Sequence, residues 1–480
     1  MARRELVDSC NGYLELKPHH ASLLDLVRVL FSSHKSLSTK KFVETSDANH
    51  LKGLELRWIV FISLLVQKLL LYLTKPVART GYVIEMGLNL LSSNGGFCRL
   101  LLNTLKGSVV KLDKSSAKFV SVLGYVDTRV ELDKNIKTAD DRYGAALSIM
   151  ASKLAYEYQP FAQSVVTDHW KMEMLGWFNF WNDYQNLYST KAFMFKDTTS
   201  NPNLIVVAFR GTEPFDLDQW RTDVDFSWYE LHGVGRIHSG FLKALGVQKK
   251  SGWPKDIIDE GLDQQYAYYT LRQKLKEELE KDKNVKFILT GHSLGAALAI
   301  LFLAGLVLHE EEELLESLDW VYTYGQPRVG NEQFGNWMGE KMRIHDVKYL
   351  RYVYSADLVP RVPYDDQAGT LYKHFGPCLW VNSFYRGKVV WEEPDKNYFS
   401  LLWAIPKILN AVWELIRGFI LPYIYGPVYQ ESCVMKLVRV FGMFIPGLAA
   451  HCPQDYDNAT RLGSFPPEIL DQQVLNGKRD

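Results

Sequence analysis

One serine stands between two glycines in the pentapeptide GHSLG at 291–295. The short apolar run 285–291 predicts a buried strand, and the Ala- and Leu-rich run 294–308 predicts a buried helix. A serine at such a strand-to-helix turn exposes its hydroxyl above the sheet, while the glycines let strand and helix pass closely. The spacing therefore predicts a nucleophile elbow rather than an ordinary turn. Its residues are Gly291, His292, Ser293 and Gly295.

A serine nucleophile needs a general base, and in α/β-hydrolases the chain order is serine, acid, histidine. His309 ends the elbow helix, about 22 Å from its start at 1.5 Å per residue, and is therefore too far away. His345 precedes the best acid. His374 and His451 both remain open as the base on this reasoning.

The acid is expected in a loop after a strand. Asp357 fulfils this condition because it follows the predicted strand 347–355, although an Asx turn before Pro360 would also use an aspartate here. Asp365 and Asp366 lie farther from a strand end and are weaker candidates.

Donors for the oxyanion are predicted at two backbone positions. The strand 204–211 leads into Thr212, whose N–H and hydroxyl can turn toward the elbow, and Leu294 supplies the N–H directly after the serine. An ordinary strand-ending turn is the alternative for Thr212.

The predicted elements alternate between strands and helices. This alternation predicts an α/β fold with a mostly parallel central sheet between about 138 and 385. The acidic run 310–313 is expected to be a solvated helix end or loop. The predicted strands are 204–211, 285–291, 320–326 and 347–355, and the predicted helices are 262–282 and 294–309.

Two apolar regions flank this part of the chain. Residues 58–74 and 81–91 are apolar pieces on either side of Pro76, and the basic stretch 97–118 follows them. This combination predicts shallow lipid attachment through 58–91 more than full spanning, although a helix pair packed on the globular domain would also be apolar. The second region, 399–446, is interrupted by prolines and could cap the domain or rest on lipid.

These regions divide the chain into a lipid-attachment part, 1–137, and a catalytic part, 138–480, which contains the insert 399–446. A short amphipathic helix is also predicted at 21–31.

Composition excludes several other functions. Lys plus Arg and Asp plus Glu both number 55, so no net charge favours nucleic acid. Five scattered cysteines without a C-x-x-C pair predict neither disulfides nor a zinc site. The first residues lack the apolar core of a signal peptide, so a cytosol-facing location is expected.

Five motifs occur in one order along the chain: FRGT at 209–212, IHSGF at 237–241, GHSLGA at 291–296, YGQPRVGN at 324–331 and DLVP at 357–360. In this order the chain resembles class 3 lipases, the fungal-lipase-like family. The apolar N-terminal segment and the ending HCPQDYDNATRLGSF resemble more narrowly the plant oil-body triacylglycerol lipases.

The resemblance implies an α/β-hydrolase-type fold and ester hydrolysis at a lipid–water interface, without metal or cofactor. It implies Ser293 as nucleophile, Asp357 as acid, and Thr212 with Leu294 as oxyanion hole. It favours His451 over His374 as the base, although the insert separates Asp357 from His451 by 94 residues, more than in fungal members.

The family also implies a lid at 212–220, with Phe215, Leu217 and Trp220 as its apolar residues. The alternative is a fixed loop, stiffened by Pro214.

The function predicted from these residues is an acylglycerol lipase, for triacylglycerols above all, at the surface of a lipid droplet or the cytosolic face of an intracellular membrane. The oligomeric state is left open. Two alternatives remain: a phospholipase A1 or galactolipase with the same machinery, and a lipase-like interaction protein without activity.

Overall fold

The computed structural model describes residues 10–200, 202–247, 252–256, 264–365 and 371–464. Within these ranges twelve strands form one sheet of eight strands and one of four. The strands are β1 Cys10–Leu16, β2 Val43–Thr45, β3 Glu173–Asn182, β4 Leu187–Asp197, β5 Leu204–Phe209, β6 Trp228–Leu231, β7 Gly235–His238, β8 Lys286–His292, β9 Leu318–Tyr324, β10 Lys348–Tyr354, β11 Cys378–Val381 and β12 Gly387–Val390.

The larger sheet has the order β12-β11-β10-β9-β8-β5-β4-β3, and its central strands from β5 to β11 run parallel. β3, β4 and β12 extend it with antiparallel pairs. β5 is buried at every residue because helices cover both faces of the sheet. This is the α/β-hydrolase-type fold predicted from the sequence, and the four predicted strands coincide with β5, β8, β9 and β10 to within two residues.

The α-helices of the described residues are α1 Leu23–Phe31, α2 His34–Leu37, α3 Leu54–Ser93, α4 Phe97–Leu105, α5 Val122–Val126, α6 Tyr143–Leu154, α7 Gln159–Ser164, α8 Leu217–Val224, α9 Ser239–Leu245, α10 Ala267–Lys281, α11 Leu294–Leu308, α12 Glu312–Ser317, α13 Glu332–Ile344, α14 Ala404–Tyr425, α15 Cys433–Gly442 and α16 Pro453–Leu462. α9, α10 and α11 pack on one face of the large sheet, and α6 and α16 pack on the other. The sheet is therefore the middle of three layers, and α1, α10 and α11 correspond to the predicted helices.

The small sheet joins the first described residues to the catalytic part. Its order is β2-β1-β6-β7, and β1 pairs antiparallel with β6 through Tyr13 and Tyr229. β1 belongs to the predicted lipid-attachment part, whereas β6 belongs to the predicted catalytic part. The division at residue 137 stays a prediction.

The helix α3 corrects the prediction of two apolar pieces separated at Pro76. It is one helix of 40 residues with Pro76 inside it. A proline removes one backbone hydrogen bond, but the turns on either side keep theirs. Both halves are also held by other parts of the chain: Gln67 donates to Asp225 at 3.2 Å, and Asn89 donates to the carbonyl of Val120 at 2.8 Å.

Among the described residues, α3 is the one helix long and apolar enough to cross a bilayer, by length and composition alone, and 22% of its apolar window is buried.

One residue of the acidic run 310–313 is buried, although the whole run was expected to be solvated. Glu311, in the run expected to be solvated, is buried and pairs with Lys276 at 2.6 Å and Arg272 at 3.3 Å. The two cations of α10 compensate the burial of this carboxylate, so part of the acidic run belongs to the interior.

Candidate active site

Ser293 connects β8 to α11 through a strained turn. Its backbone has φ 61° and ψ −131°, values that residues other than glycine rarely adopt. Its N–H donates to the carbonyl of Tyr324 at 2.9 Å, which holds the turn against the end of β9. Ser293 therefore has the local geometry of a nucleophile elbow.

The two glycines of the elbow are required for close packing. A Cβ on Gly291 would lie 2.2 Å from the carbonyl carbon of Gly295, and a Cβ on Gly295 would lie 2.2 Å from the carbonyl oxygen of Phe209. Such contacts are far inside van der Waals distance, so a side chain at either position would push α11 away from the sheet.

His451 and Asp357 form a hydrogen-bonded pair although 94 residues separate them. The Nδ1–H of His451 donates to Asp357 Oδ2 at 2.8 Å, and the Asp357 side chain is fully buried. The other ring nitrogen of His451, Nε2, is buried and has no hydrogen-bond partner among the described residues. One nitrogen is thus fixed by a carboxylate while the other is free to accept a proton.

The carboxylate of Asp357 accepts two further hydrogen bonds. The hydroxyl of Tyr456 donates to Oδ2, and the backbone N–H of Val359 donates to Oδ1 at 2.9 Å. Together with His451, these donors fix the orientation of the carboxylate. Tyr456 was not identified from the sequence; its position five residues after His451, in the next helix α16, was the available signal.

His292 brings the elbow and His451 together. Its Nε2–H donates to the carbonyl of His451 at 2.8 Å, and its Nδ1 accepts from the hydroxyl of Tyr156 at 2.8 Å. Burial is the main cause that holds the pKa of His292 well below its usual value, and repulsion from a protonated His451 lowers it further. The ring of His292 therefore stays neutral. Because His292 immediately precedes Ser293, this bond places the His451 segment beside the serine.

Gly325, in the motif after β9, lies against the histidine–aspartate pair. It has φ +59°, and a Cβ there would lie 2.9 Å from His451 Cε1 and 3.0 Å from Asp357 Oδ2. Both the backbone conformation and the lack of space exclude a larger residue.

Thr212 lies beside the elbow because the preceding residue is glycine. A Cβ on Gly211 would lie 2.5 Å from the carbonyl of His292, so the loop after β5 touches the elbow backbone. The Thr212 hydroxyl donates to Asp223 Oδ2 at 2.8 Å, while Asp223 Oδ1 has no partner among the described residues. Burial raises the pKa of Asp223 to about 7.

His374, the other candidate base, is engaged elsewhere. Its Nε2 contacts the carbonyl of Pro360 at 2.6 Å, and Glu393 lies 3.7 Å away. Burial, followed by the charge of Arg351, holds the pKa of His374 well below its usual value. Asp365 pairs with Lys396 at 3.0 Å, and Asp366 lies outside the described residues.

The segment predicted as a lid begins beside the long helix α3. A Cβ on Gly81 of α3 would lie 2.4 Å from Phe215 Cβ, so the two chains touch there. Asp216 caps the N-terminus of α8, which contains Leu217 and Trp220. Phe215 and Gly81 also line a cavity of about 320 Å³ together with Tyr156, the hydrogen-bond partner of His292.

The described residues contain no group of three or more His, Cys, Asp or Glu side chains that could hold a metal ion. The residues themselves provide an oriented histidine and, at the start of a helix, a serine. This combination is suited to nucleophilic catalysis.

Residues 206–367 match the family model described as lipase (class 3). A triacylglycerol lipase OBL1 from Arabidopsis thaliana is 40% identical, and the alignment covers 94% of this chain and 95% of that protein. A protein of the same name from Nicotiana tabacum is 41% identical over 85% of this chain and 83% of the relative. A Rhizomucor miehei lipase in complex with its propeptide is similar in structure with a TM-score of 0.38, at 21% identity over 53% of this chain and 74% of that one.

Proposed function

Because this chain belongs to the class 3 lipase family, we propose that it hydrolyses acylglycerols at a lipid surface, with Ser293, His451 and Asp357 as its catalytic triad. The family consists of serine ester hydrolases, and the chain is an enzyme of this kind. Two relatives that match it over most of their length carry the name triacylglycerol lipase, which supports triacylglycerol as the substrate.

The observation that carries the proposal is the state of the His451 ring. Its Nδ1 contacts a buried carboxylate at 2.8 Å, and its Nε2 is left without a partner among the described residues, beside an elbow that contains a serine. A general base needs this arrangement, since one nitrogen must be held in the N–H form while the other accepts the proton of the nucleophile.

In the proposed reaction, the Oγ of Ser293 attacks the ester carbonyl while Nε2 of His451 takes the hydroxyl proton. Asp357 stabilises the resulting imidazolium, and His451 then returns the proton to the departing alcohol. Water, deprotonated by the same nitrogen, attacks the acyl-enzyme, and His451 returns this proton to the Oγ of Ser293 as the bond to the fatty acid breaks. Tyr456 and Val359 N–H keep the carboxylate oriented through both halves of the reaction.

Oxyanion stabilisation is assigned to the N–H groups of Leu294 and Thr212. The first N–H groups of a helix have no partner inside it, and Leu294 is the first residue of α11. The hydroxyl of Thr212 is already bonded to Asp223, and this bond fixes the residue beside the elbow. Each such donor contributes roughly 3 kcal/mol to the transition state.

Attachment to a lipid droplet or membrane surface is assigned to the exposed side of α3. Leu65, Leu69 and Tyr72 are 42%, 55% and 84% exposed there, while Gln67 is buried. Phe215, Leu217 and Trp220 are assigned to a lid, and Phe215 contacts α3 at Gly81, on the buried side of the helix.

Hydrolysis of two emulsions tests the proposed function. The wild-type protein should release fatty acid from triolein faster than from phosphatidylcholine, and Ser293→Ala should release none from either. A preference for phosphatidylcholine would instead support the alternative function, a phospholipase A1. Equal rates for wild type and Ser293→Ala would contradict the triad.

A further inference from the structure

The helix α14 of the C-terminal insert exposes its apolar side. Its large apolar residues recur every three or four positions, which places them along one side of the helix. They are 36% to 91% exposed: Ile405, Leu409, Val412, Ile416, Phe419 and Tyr423. A helix on the surface of a soluble protein normally has its apolar stripe toward the core.

The charged residues of the insert point inward. Burial of a charge is costly unless it is paired, and these charges are paired. Arg417 contacts Asp455 at 2.8 Å, Arg439 contacts Asp455 at 3.0 Å, and Lys407 contacts Asp395 at 2.8 Å. Arg439 also pairs with Glu431, and it lies 3.6 Å from Glu414.

The outer face of the insert consequently carries almost no charge. Six residues of 399–446 have a charged side chain, and five of them are buried: Lys407, Glu414, Arg417, Glu431 and Arg439. The sixth, Lys436, is half-buried, and its ammonium group lies 4.5 Å from the ring centre of Phe419. The second helix, α15, and the turn after it expose Phe441 and Phe444, at 65% and 79%.

The buried side of the insert contacts the segments that carry Asp357 and His451. Asn410 donates to Ser355 Oγ at 2.9 Å, two residues before Asp357. Asp455, which anchors both Arg417 and Arg439, lies four residues after His451. A Cβ on Gly447 would lie 2.2 Å from the carbonyl of Ala356, so the end of the insert touches the loop of the acid.

The insert also contacts the segment that holds the long helix α3. Ser432 donates to the carbonyl of Val126 at 3.0 Å. Tyr125, one residue earlier, donates to Asn89 of α3 at 3.2 Å. The exposed apolar surfaces of α3 and of the insert are therefore both anchored on α5.

We propose that the outer face of α14 and α15 docks into the hydrocarbon of a phospholipid-covered triacylglycerol droplet and holds the catalytic pair at that surface. This inference rests on the proposed lipase function. A hydrocarbon layer suits a face whose charges, except that of Lys436, are turned inward, whereas a protein partner usually adds a polar rim that needs hydrogen bonds. Trp403 at the start of α14 and Tyr423 near its end correspond to the aromatic residues found at membrane–water boundaries.

Flotation with artificial droplets of triolein coated with phosphatidylcholine tests the proposal. The variant Leu409→Glu with Ile416→Glu should reduce the droplet-bound fraction relative to the free fraction by about tenfold or more, because it brings carboxylates into hydrocarbon. The matched control is Ile344→Glu with Leu187→Glu, which are 57% and 44% exposed outside the insert. This control should bind as the wild type does.

Two further readouts separate the outcomes. Hydrolysis of a dissolved short-chain ester reports whether the active site is intact, and sedimentation velocity without lipid reports the size of the particle. Unchanged flotation of the insert variant would overturn the proposal. If, in addition, the wild type sediments as an oligomer and the variant as a monomer, the face is a contact between two copies instead. If no protein hydrolyses any ester but the insert variant alone loses flotation, the docking surface stands and the proposed function fails.

Discussion

The apolar helices α11 and α14 of this chain are oriented in opposite ways. α11, which follows the candidate nucleophile, contains no charged residue and buries Leu294 through Val307. α14, which precedes the candidate base, buries Lys407, Glu414 and Arg417 and exposes its apolar stripe. Apolar content therefore does not tell where a helix lies. The charges decide, because α11 has none to satisfy and those of α14 find partners inside the domain.

The difference also separates two tasks. α11 holds the elbow against the sheet through backbone contacts that leave no space for a side chain. α14 is held by ion pairs and hydrogen bonds, which leave its apolar stripe available for lipid. Substitutions in and around the two helices test this contrast.

The same substitution in the two helices should have very different effects. Leu298→Glu places a carboxylate in the interior beside the sheet, since Leu298 is 1% exposed, and should lower the free energy of unfolding by roughly 4 kcal/mol or more. Leu409→Glu, at 64% exposure, should change it by less than about 0.5 kcal/mol. Urea unfolding of both variants measures the contrast. Similar losses would mean that α14 is part of the core in solution.

Removal of a buried cation should destabilise the insert strongly. Arg439→Leu leaves Asp455 and Glu431 without their shared partner and should cost about 3 kcal/mol or more. The control, Lys436→Leu, removes a half-exposed cation outside that network and should cost about 0.5 kcal/mol or less. If the two variants unfold at the same urea concentration, the ion pairs do not hold the insert.

Asp223, the partner of Thr212, should make stability depend on pH. Its folded pKa of about 7 lies above the usual value of 3.8, so this group favours the folded state below pH 4 and loses that contribution as pH rises toward 7. Asp223→Asn retains an acceptor for Thr212 and removes the titration. Between pH 5 and pH 8 the wild type should lose roughly 3 kcal/mol more than the variant. Urea unfolding curves that shift equally in both proteins would exclude the buried carboxyl as the cause.

The sequence predicted the parallel core well because its strands are continuous apolar runs separated by helices. β5, β8, β9 and β10 were located in this way. The small sheet was not predicted, since β1 finds its partner β6 more than two hundred positions later and nothing local indicates it. The helix α3 was divided at Pro76 because its support comes from Asp225 and Val120, which are distant in sequence.

For the site, the sequence indicated Ser293, Asp357 and Thr212 by motif and position, and the structure brings the surrounding loops together. Their catalytic roles stay predictions. The choice of His451 depended on a family resemblance, because the insert hides the spacing between acid and base. Tyr156 and Asp223 were missed because their contribution is a contact with another side chain, which no local pattern encodes. For Tyr456, the one signal was its position close after His451.

The most direct test of the triad is the rate at which a fluorophosphonate labels Ser293, with the labelled peptide identified by mass spectrometry. Wild-type protein should be labelled at Ser293, and Ser293→Ala should not be labelled. In His451→Ala the labelling rate should fall by a factor of about a thousand or more, because the serine loses its base. His374→Ala, whose histidine contacts Pro360 instead, should react within about tenfold of the wild type. Labelling at another serine, or a larger loss for His374→Ala than for His451→Ala, would contradict the assignment of Ser293 and His451.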